Sequence, residues 1–233
     1  MLRRFIRLWD EVLDFVYPPK CLACFADEHA RGTPHLCKGC FESLYAETVP
    51  APIDYSEQFT NLGRQTSFDE CHAAWPYSEK MQRLIHAMKY DGKPSIARLL
   101  AKGISSRVNH LKLPSRENVV IVPVPMHSRR QRERGYNQSA LIAIELAALW
   151  KLPVNTKSLR RMRDTPQQAL LSADERRRNV HDAFRVQPAT AFVSRDILLV
   201  DDVVTTGSTV NACAEALRAG GVLRIFIAAA AHA

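Results

Sequence analysis

No run of the 233-residue chain is apolar for long enough to cross a bilayer, and none has the uninterrupted apolar stretch and small-residue site of a cleaved export signal. The longest candidate, Leu2 to Tyr17, is broken by Arg3, Arg4, Arg7, Asp10, Glu11 and Asp14. Its Leu2, Phe5, Ile6, Trp9, Val12, Leu13 and Val16 recur at helical spacing, which predicts an amphipathic helix packed on the protein, with a helix lying on a membrane surface as the alternative. Without an export signal the expected compartment is the cytoplasm. Six cysteines stay reduced there, which turns attention from disulfides to metal. Internal repeats and low-complexity segments are also missing. So are the Gly-x4-Gly-Lys of a triphosphate-binding loop and the Gly-x-Gly-x-x-Gly of a dinucleotide fold, which removes both of those nucleotide classes.

What is present is enough apolar sequence for a full core, 46% of residues, and an excess of basic charge, 32 Lys+Arg against 24 Asp+Glu. The excess is local. Residues 127 to 181 hold 12 basic and 5 acidic side chains, while the segments before and after are close to neutral. An anionic partner is implied, be it nucleic acid, a membrane surface or a phosphate ester. Tyr136 and Trp150 are the only aromatics in that stretch, so a base-stacking groove for single strands is not evident.

Four cysteines form two pairs, Cys21-Leu-Ala-Cys24 and Cys37-Lys-Gly-Cys40, separated by twelve residues. Two such knuckles put four thiolates within reach of one tetrahedral ion, and four closed positions leave no open site for catalysis. Structural zinc is the expected occupant; a redox pair or an iron-sulfur cluster is the alternative. Cys71 and Cys213 stand in apolar surroundings and read as buried core residues. The expected organisation is an N-terminal helix and zinc module over residues 1–45, a linker over 46–70, and a main domain over 71–233. In the main domain, strands are expected at Cys71 to Tyr77, Val119 to Val124, Pro153 to Leu159, Ile197 to Val200 and Leu223 to Ala229. Helices are expected around Met81 to Met88, Ile96 to Leu111, Gln138 to Trp150, Arg176 to Val180 behind the Ser172 to Glu175 capping box, and Thr209 to Ala219. That alternation predicts an α/β fold with a parallel sheet covered by helices on both faces.

The most informative string is Leu198-Leu-Val-Asp201-Asp202-Val-Val-Thr205-Thr206-Gly207-Ser208-Thr209, an apolar strand that ends in two carboxylates and leads through a hydroxyl-rich turn into a helix. Ligands of parallel sheets bind at the carboxyl ends of the strands. Backbone N–H groups, hydroxyls and a glycine at a helix N-terminus make a cradle for one phosphate. Asp201 and Asp202 are placed to accept from the vicinal hydroxyls of a ribose whose phosphate occupies the cradle. The expected ligand is therefore a phosphorylated sugar.

These twelve residues resemble the phosphoribosyl-pyrophosphate (PRPP) signature of type I phosphoribosyltransferases. The wider chain resembles the ComF family of competence-associated proteins, through the cysteine knuckles, Lys89-Tyr-Asp-Gly92, Val122-Pro-Val-Pro125, Arg134-Gly-Tyr-Asn-Gln138 and the segment from Thr165 to Asn179. Ser208 and Tyr136 replace the Ala and Phe frequent in the family. The resemblance implies a type I phosphoribosyltransferase-like domain that binds PRPP with Mg²⁺ through Asp201, Asp202, Val204, Thr205, Thr206, Gly207, Ser208 and Thr209. Arg132 and Arg134, with Arg129 and Arg130, would face the diphosphate from a loop running from Pro123 to Gly135, whose His127 is a further PRPP-binding and proton-transfer candidate. Lys89, at the end of its own helix, would be another phosphate contact, and residues 165–179 would form a mobile lid. Asp201, Asp202 and Arg134 are the implied catalytic set, with Asp201 the better acid/base candidate. The last strand is followed by only four residues, so no C-terminal hood is expected and the acceptor-selecting part lies upstream. Three readings stand: phosphoribosyl transfer to an unidentified acceptor, a DNA-uptake accessory that contacts single-stranded DNA and competence proteins, and a non-catalytic ligand sensor.

Overall fold

The structure is a computed structural model, and it describes residues 20–27, 35–46, 66–108, 116–163 and 183–233. Its elements run α1 (Lys38–Ala46), β1 (Glu70–Pro76), α2 (Glu79–Tyr90), α3 (Ile96–Arg107), β2 (Val119–Pro123), α4 (Ser128–Arg134), α5 (Gln138–Trp150), β3 (Leu159–Arg161), β4 (Phe184–Val186), β5 (Asp196–Val204), α6 (Ser208–Ala219) and β6 (Arg224–His232). Four strands pair in parallel in the order β1-β6-β5-β2, with β5 and β6 central. β3 and β4 form a separate antiparallel ribbon.

Period-two alternation divides the strands between two cores. Leu198 and Val200 of β5, with Phe226, Ala228 and Ala230 of β6, face α2, α3 and α5. Ile197 and Leu199, with Ile225, Ile227 and Ala229, face α6 and the ribbon. Strands buried on both faces need near-continuous apolar sequence, and β5 and β6 have it. The first core also takes in Cys21, Leu36, Cys40 and Leu44 from the cysteine segment. Trp75 joins the parts: its Nε1 donates to the Leu44 carbonyl at 2.8 Å, and its ring lies against Gly103 of α3, where a Cβ would stand 1.6 Å from Cη2. Arg107 donates to the Leu44 and Tyr45 carbonyls at 2.9 and 3.1 Å, satisfying acceptors that the end of α1 leaves open.

Several expectations are corrected. β5 extends to Val204, so Asp201 and Asp202 lie within the strand, because Asp201, Val203 and Val204 pair with Ala229, Ala231 and His232 of an equally long β6. Residues 128–134 form a helix, capped by the His127 side chain and ended by left-handed Gly135 at φ 84°, where a loop is expected. Between Pro153 and Leu159 only Val154 bridges, to Ile121, and a strand begins at Leu159. Helix α3 ends at Arg107. The expected Leu2 to Tyr17 helix, most of the 46–70 linker and the 165–180 segment lie outside the described residues. Cys71 and Cys213 are buried as expected.

Candidate functional site

Because the sheet strands are parallel, β1, β2, β5 and β6 end at one edge, and the site is assembled there. Beyond β5, Thr205 and Thr206 lead to Gly207 in the left-handed region at φ 72°, which opens α6. Thr206 Oγ1 and Ser208 Oγ stand 2.9 Å apart. A cavity of about 360 Å³ is lined by this turn from Val203 to Val210, by Asp201, and by Tyr77 and Lys89. Val204, Thr205, Thr206, Gly207, Ser208 and Thr209 are thus all in its wall. A second cavity of about 300 Å³ shares Lys89, Asp201 and Thr209 with the first and adds Asp202, Tyr90, Arg130, Arg134, Gln138, Ser139 and Arg161. Two adjoining chambers therefore meet over the acidic pair, one walled by hydroxyls and backbone, the other by guanidinium groups.

Both carboxylates are buried. Asp201 Oδ1 accepts from Ser139 Oγ and from the Asp202 backbone N–H, each at 2.9 Å. Asp202 is ion-paired with Lys89. Burial first, and then the neighbouring Asp202, pushes the Asp201 carboxyl up to about 8. Burial alone would raise Asp202 as well, but the Lys89 ammonium beside it and the hydrogen bonds it receives outweigh that, and Asp202 sits below its ordinary range. Burial would likewise lower Lys89, and the two aspartates more than reverse it, so its ammonium is held charged. One acid of the pair is thus proton-retaining near neutrality and the other stays ionised, a division suited to acid/base work.

Arg134 donates to Gln138 Oε1 at 3.2 Å and to the Tyr90 hydroxyl at 3.0 Å, and its guanidinium lies 4.7 Å from the Tyr90 ring centre. Arg130 lines the same chamber, whereas Arg132 is exposed and His127, the α4 cap, lines neither chamber. Arg161 reaches the chamber from β3, with its guanidinium 5.6 Å from the Phe184 ring centre. Sequence reasoning assigns no role to Tyr77, Ser139 or Arg161, and Tyr90 and Gln138 enter it only inside the family motifs Lys89-Tyr-Asp-Gly92 and Arg134-Gly-Tyr-Asn-Gln138, without a role of their own. Gln138 and Ser139 had a readable signal: Asn137 caps α5 just beyond β2, which sets the next two residues at the sheet's carboxyl edge. For Arg161, one of several arginines in a short run, no sequence signal separates it from its neighbours.

The second cluster is built from Cys21, Cys24, Cys37 and Cys40, whose sulfurs all lie within 4.8 Å of one another, with Cys24 Sγ and Cys37 Sγ 3.7 Å apart. Sulfurs about 2.3 Å from one zinc ion stand about 3.8 Å apart in a tetrahedron, so the donor set fits structural zinc. Against the effect of burial, backbone N–H groups of Cys37, Cys24 and Ala23 directed at Cys21 bring its thiol down to about 6, whereas burial and the neighbouring cysteines hold Cys40 well above its ordinary range.

A parallel α/β sheet with an acidic pair and a hydroxyl-rich turn at its carboxyl edge, preceded by a four-cysteine cluster, defines the class of protein. No protein-family model matches the chain. It is 33% identical over 215 residues to competence protein F of Haemophilus influenzae, covering 84% of this chain and 92% of that one. The chain belongs to the ComF family. It is also 36% identical over 155 residues to DNA utilization protein YhgH of Escherichia coli K12, covering 64% of this chain and 66% of the relative, and 24% identical over 186 residues to competence protein ComFC of Bacillus subtilis, covering 79% and 72%. Among solved structures, a Leishmania donovani UMP synthase matches with a TM-score of 0.35 at 17% identity, over 64% of this chain and 24% of that one. A glutamic acid mutant of an HPRT matches with a TM-score of 0.34 at 12% identity, over 61% and 78%. Scores this low carry no argument here. Among the described residues no helix is long and apolar enough to cross a membrane.

Proposed function

We propose that the chain binds a ribose carrying a 5-phosphate and a 1-diphosphate, PRPP, and transfers its phosphoribosyl group to an acceptor within the DNA-uptake role suggested by the names of its relatives. The observation that carries this reading is the pair of adjoining chambers. The Thr205–Thr209 turn suits a single phosphate, Asp201 and Asp202 suit the ribose hydroxyls, and Arg130, Arg134 and Arg161 suit a second, more highly charged anion. In the reaction the C1–oxygen bond to the diphosphate breaks, the electron pair leaves with pyrophosphate, and the acceptor forms the new bond to C1 while losing its proton to a base. Asp201 is the proposed acid/base residue; with its carboxyl pushed up to about 8, it takes that proton as the ionised form, the minority one near neutrality. Arg134, held by Gln138 and Tyr90, orients the leaving group.

With Asp202 engaged by Lys89 and Asp201 by Ser139, the carboxylates form no ready cage for a bare cation. Asp201 and Asp202 would meet Mg²⁺ only as its complex with the diphosphate, and the ion would supply charge neutralisation of the leaving group. Structural zinc at the four cysteines and a cytoplasmic site of action belong to the same reading. Calorimetric titration of PRPP with Mg²⁺ against the wild type and an Asp201→Asn/Asp202→Asn double variant tests it: binding by the first and not the second is expected, and no heat from the wild type overturns the donor site.

A second reading, a single-stranded DNA contact that needs no catalysis, is favoured by exposed Arg132 on α4 outside both chambers and by the relatives named for DNA utilization and competence. Its signature is a steep fall of DNA affinity with salt that flattens when arginines of this helix are neutralised.

A further inference from the structure

Three consecutive residues at the start of α5, Asn137, Gln138 and Ser139, line the arginine-walled chamber, and the side chains of the first and third have hydrogen-bond partners. Asn137 caps the helix, accepting from Ser139 N at 3.1 Å and donating to the Val124 carbonyl at 3.0 Å. Ser139 holds Asp201. Gln138 between them is only 1% exposed, its Oε1 accepts from Arg134, and its Nε2 is buried with no hydrogen-bond partner. Turning the amide over would set its NH₂ group against a guanidinium, so the contact with Arg134 decides which end is which. A buried donor left unmade destabilises the folded chain, and this one belongs to a residue that lines the arginine-walled chamber.

We propose that Gln138 is a binding residue for the anion held in that chamber: Oε1 fixes Arg134 while Nε2 donates to an oxygen of the anion. The assignment rests on the reading under Proposed function and deepens it by naming the residue that reads the diphosphate end of the ligand. An amide is suited to this place because it serves Arg134 as an acceptor and the ligand as a donor without adding charge. A glutamate would hold Arg134 more strongly but would cancel a cation and turn an acceptor toward the anion. A lysine would repel Arg134. The residue acts only on the diphosphate side, since the Thr205–Thr209 turn lies in the other chamber and does not include it.

The test uses the full-length protein and three probes: PRPP, inorganic pyrophosphate and ribose 5-phosphate, each titrated calorimetrically with Mg²⁺ present. Gln138→Met keeps the bulk and removes both polar contacts. It is expected to weaken PRPP and pyrophosphate roughly tenfold while ribose 5-phosphate stays within about twofold of wild type. Gln138→Glu is expected to weaken the first two further, since a merely structural loss would be repaired, not worsened, by a side chain that still holds Arg134. Equal weakening of all three probes, or affinities for PRPP and pyrophosphate unchanged in a folded variant, overturns the assignment alone. A wild type that binds none of the three overturns both the assignment and the reading beneath it. Thermal melting of each variant separates lost binding from lost folding, and Gln138→Glu serves where Gln138→Met does not fold.

Discussion

Ser139 Oγ donates to Asp201 Oδ1 at 2.9 Å, so the first turn of α5 and the carboxyl half of β5 are tied together beneath the candidate site. The tie uses one oxygen of a carboxyl that burial pushes up to about 8. A folded-state value above the unfolded one, near 4, means the folded chain holds this proton more tightly. The resulting stabilisation is full below about pH 4 and is lost as pH rises through about 8. Asp201→Asn keeps an oxygen for Ser139 and for the Asp202 N–H and never ionises. Its melting temperature relative to wild type is therefore expected to rise between pH 5 and pH 8.5, by the equivalent of about 1–3 kcal/mol, while PRPP binding is lost. A difference that stays flat across that window contradicts the origin assigned to the shift.

How much of this arrangement was legible beforehand depends on what each part rests on. Apolar runs with period two or near-continuous burial mark β2, β5 and β6, and the Asp-Asp-x-x-Thr-Thr-Gly turn marks the chamber beside α6, because both are local patterns. The cysteine spacing is equally local, and the sulfurs do converge. The guanidinium wall is not local. Arg130 rather than Arg132 reaches the chamber because 128–134 coils into a helix with a phase that the arginine count does not reveal, and Arg161 arrives through an antiparallel ribbon whose pairing joins residues more than twenty apart. The Lys89 position beside Asp202 depends on how α2 lies over the sheet, which no spacing encodes.

That ion pair makes its own prediction. Lys89 offsets the burial of Asp202, and removing one partner of a buried pair leaves the other charge uncompensated. Lys89→Met is expected to cost about 2–4 kcal/mol at pH 8 in urea unfolding. Without the ammonium the Asp202 carboxyl moves above its unfolded value, so the penalty is expected to shrink as pH falls toward 5, where the carboxyl can be neutralised. Adding Asp202→Asn to Lys89→Met is expected to restore part of the loss at pH 8. Strict additivity of the two substitutions would show that the pair is not coupled.

Gly103 occupies the middle of α3, where alanine is ordinarily favoured by about 1 kcal/mol. Here the Cβ would stand 1.6 Å from the indole of Trp75, which is itself 1% exposed and bonded to Leu44. Crowding of this kind costs about 1–3 kcal/mol or more and outweighs the gain in helix propensity. Gly103→Ala is therefore expected to lower the unfolding midpoint in urea, with a change in near-ultraviolet circular dichroism as the indole shifts. A more stable variant would mean that the Trp75 ring can move aside at little cost.

The same tryptophan makes the cysteine cluster matter to the rest of the chain. Cys21, Leu36, Cys40 and Leu44 share a core with Trp75, Met81, Leu84 and Leu100, so two of the four clustered cysteines also belong to that core. Metal analysis of protein purified without added chelator is expected to find one zinc per chain, and Cys24→Ser or Cys37→Ser to abolish it. Cys24 is the stricter choice, because it is exposed and its replacement removes a ligand without opening a cavity. Stripping the zinc is expected to release the segment around residues 21–44, expose the indole of Trp75 with a red-shifted emission, and destabilise the domain as a whole rather than the cysteine segment alone. Emission and unfolding midpoint that stay unchanged after complete zinc removal would show that apolar contacts alone hold the segment in place, and that the four thiols contribute nothing to the core they border.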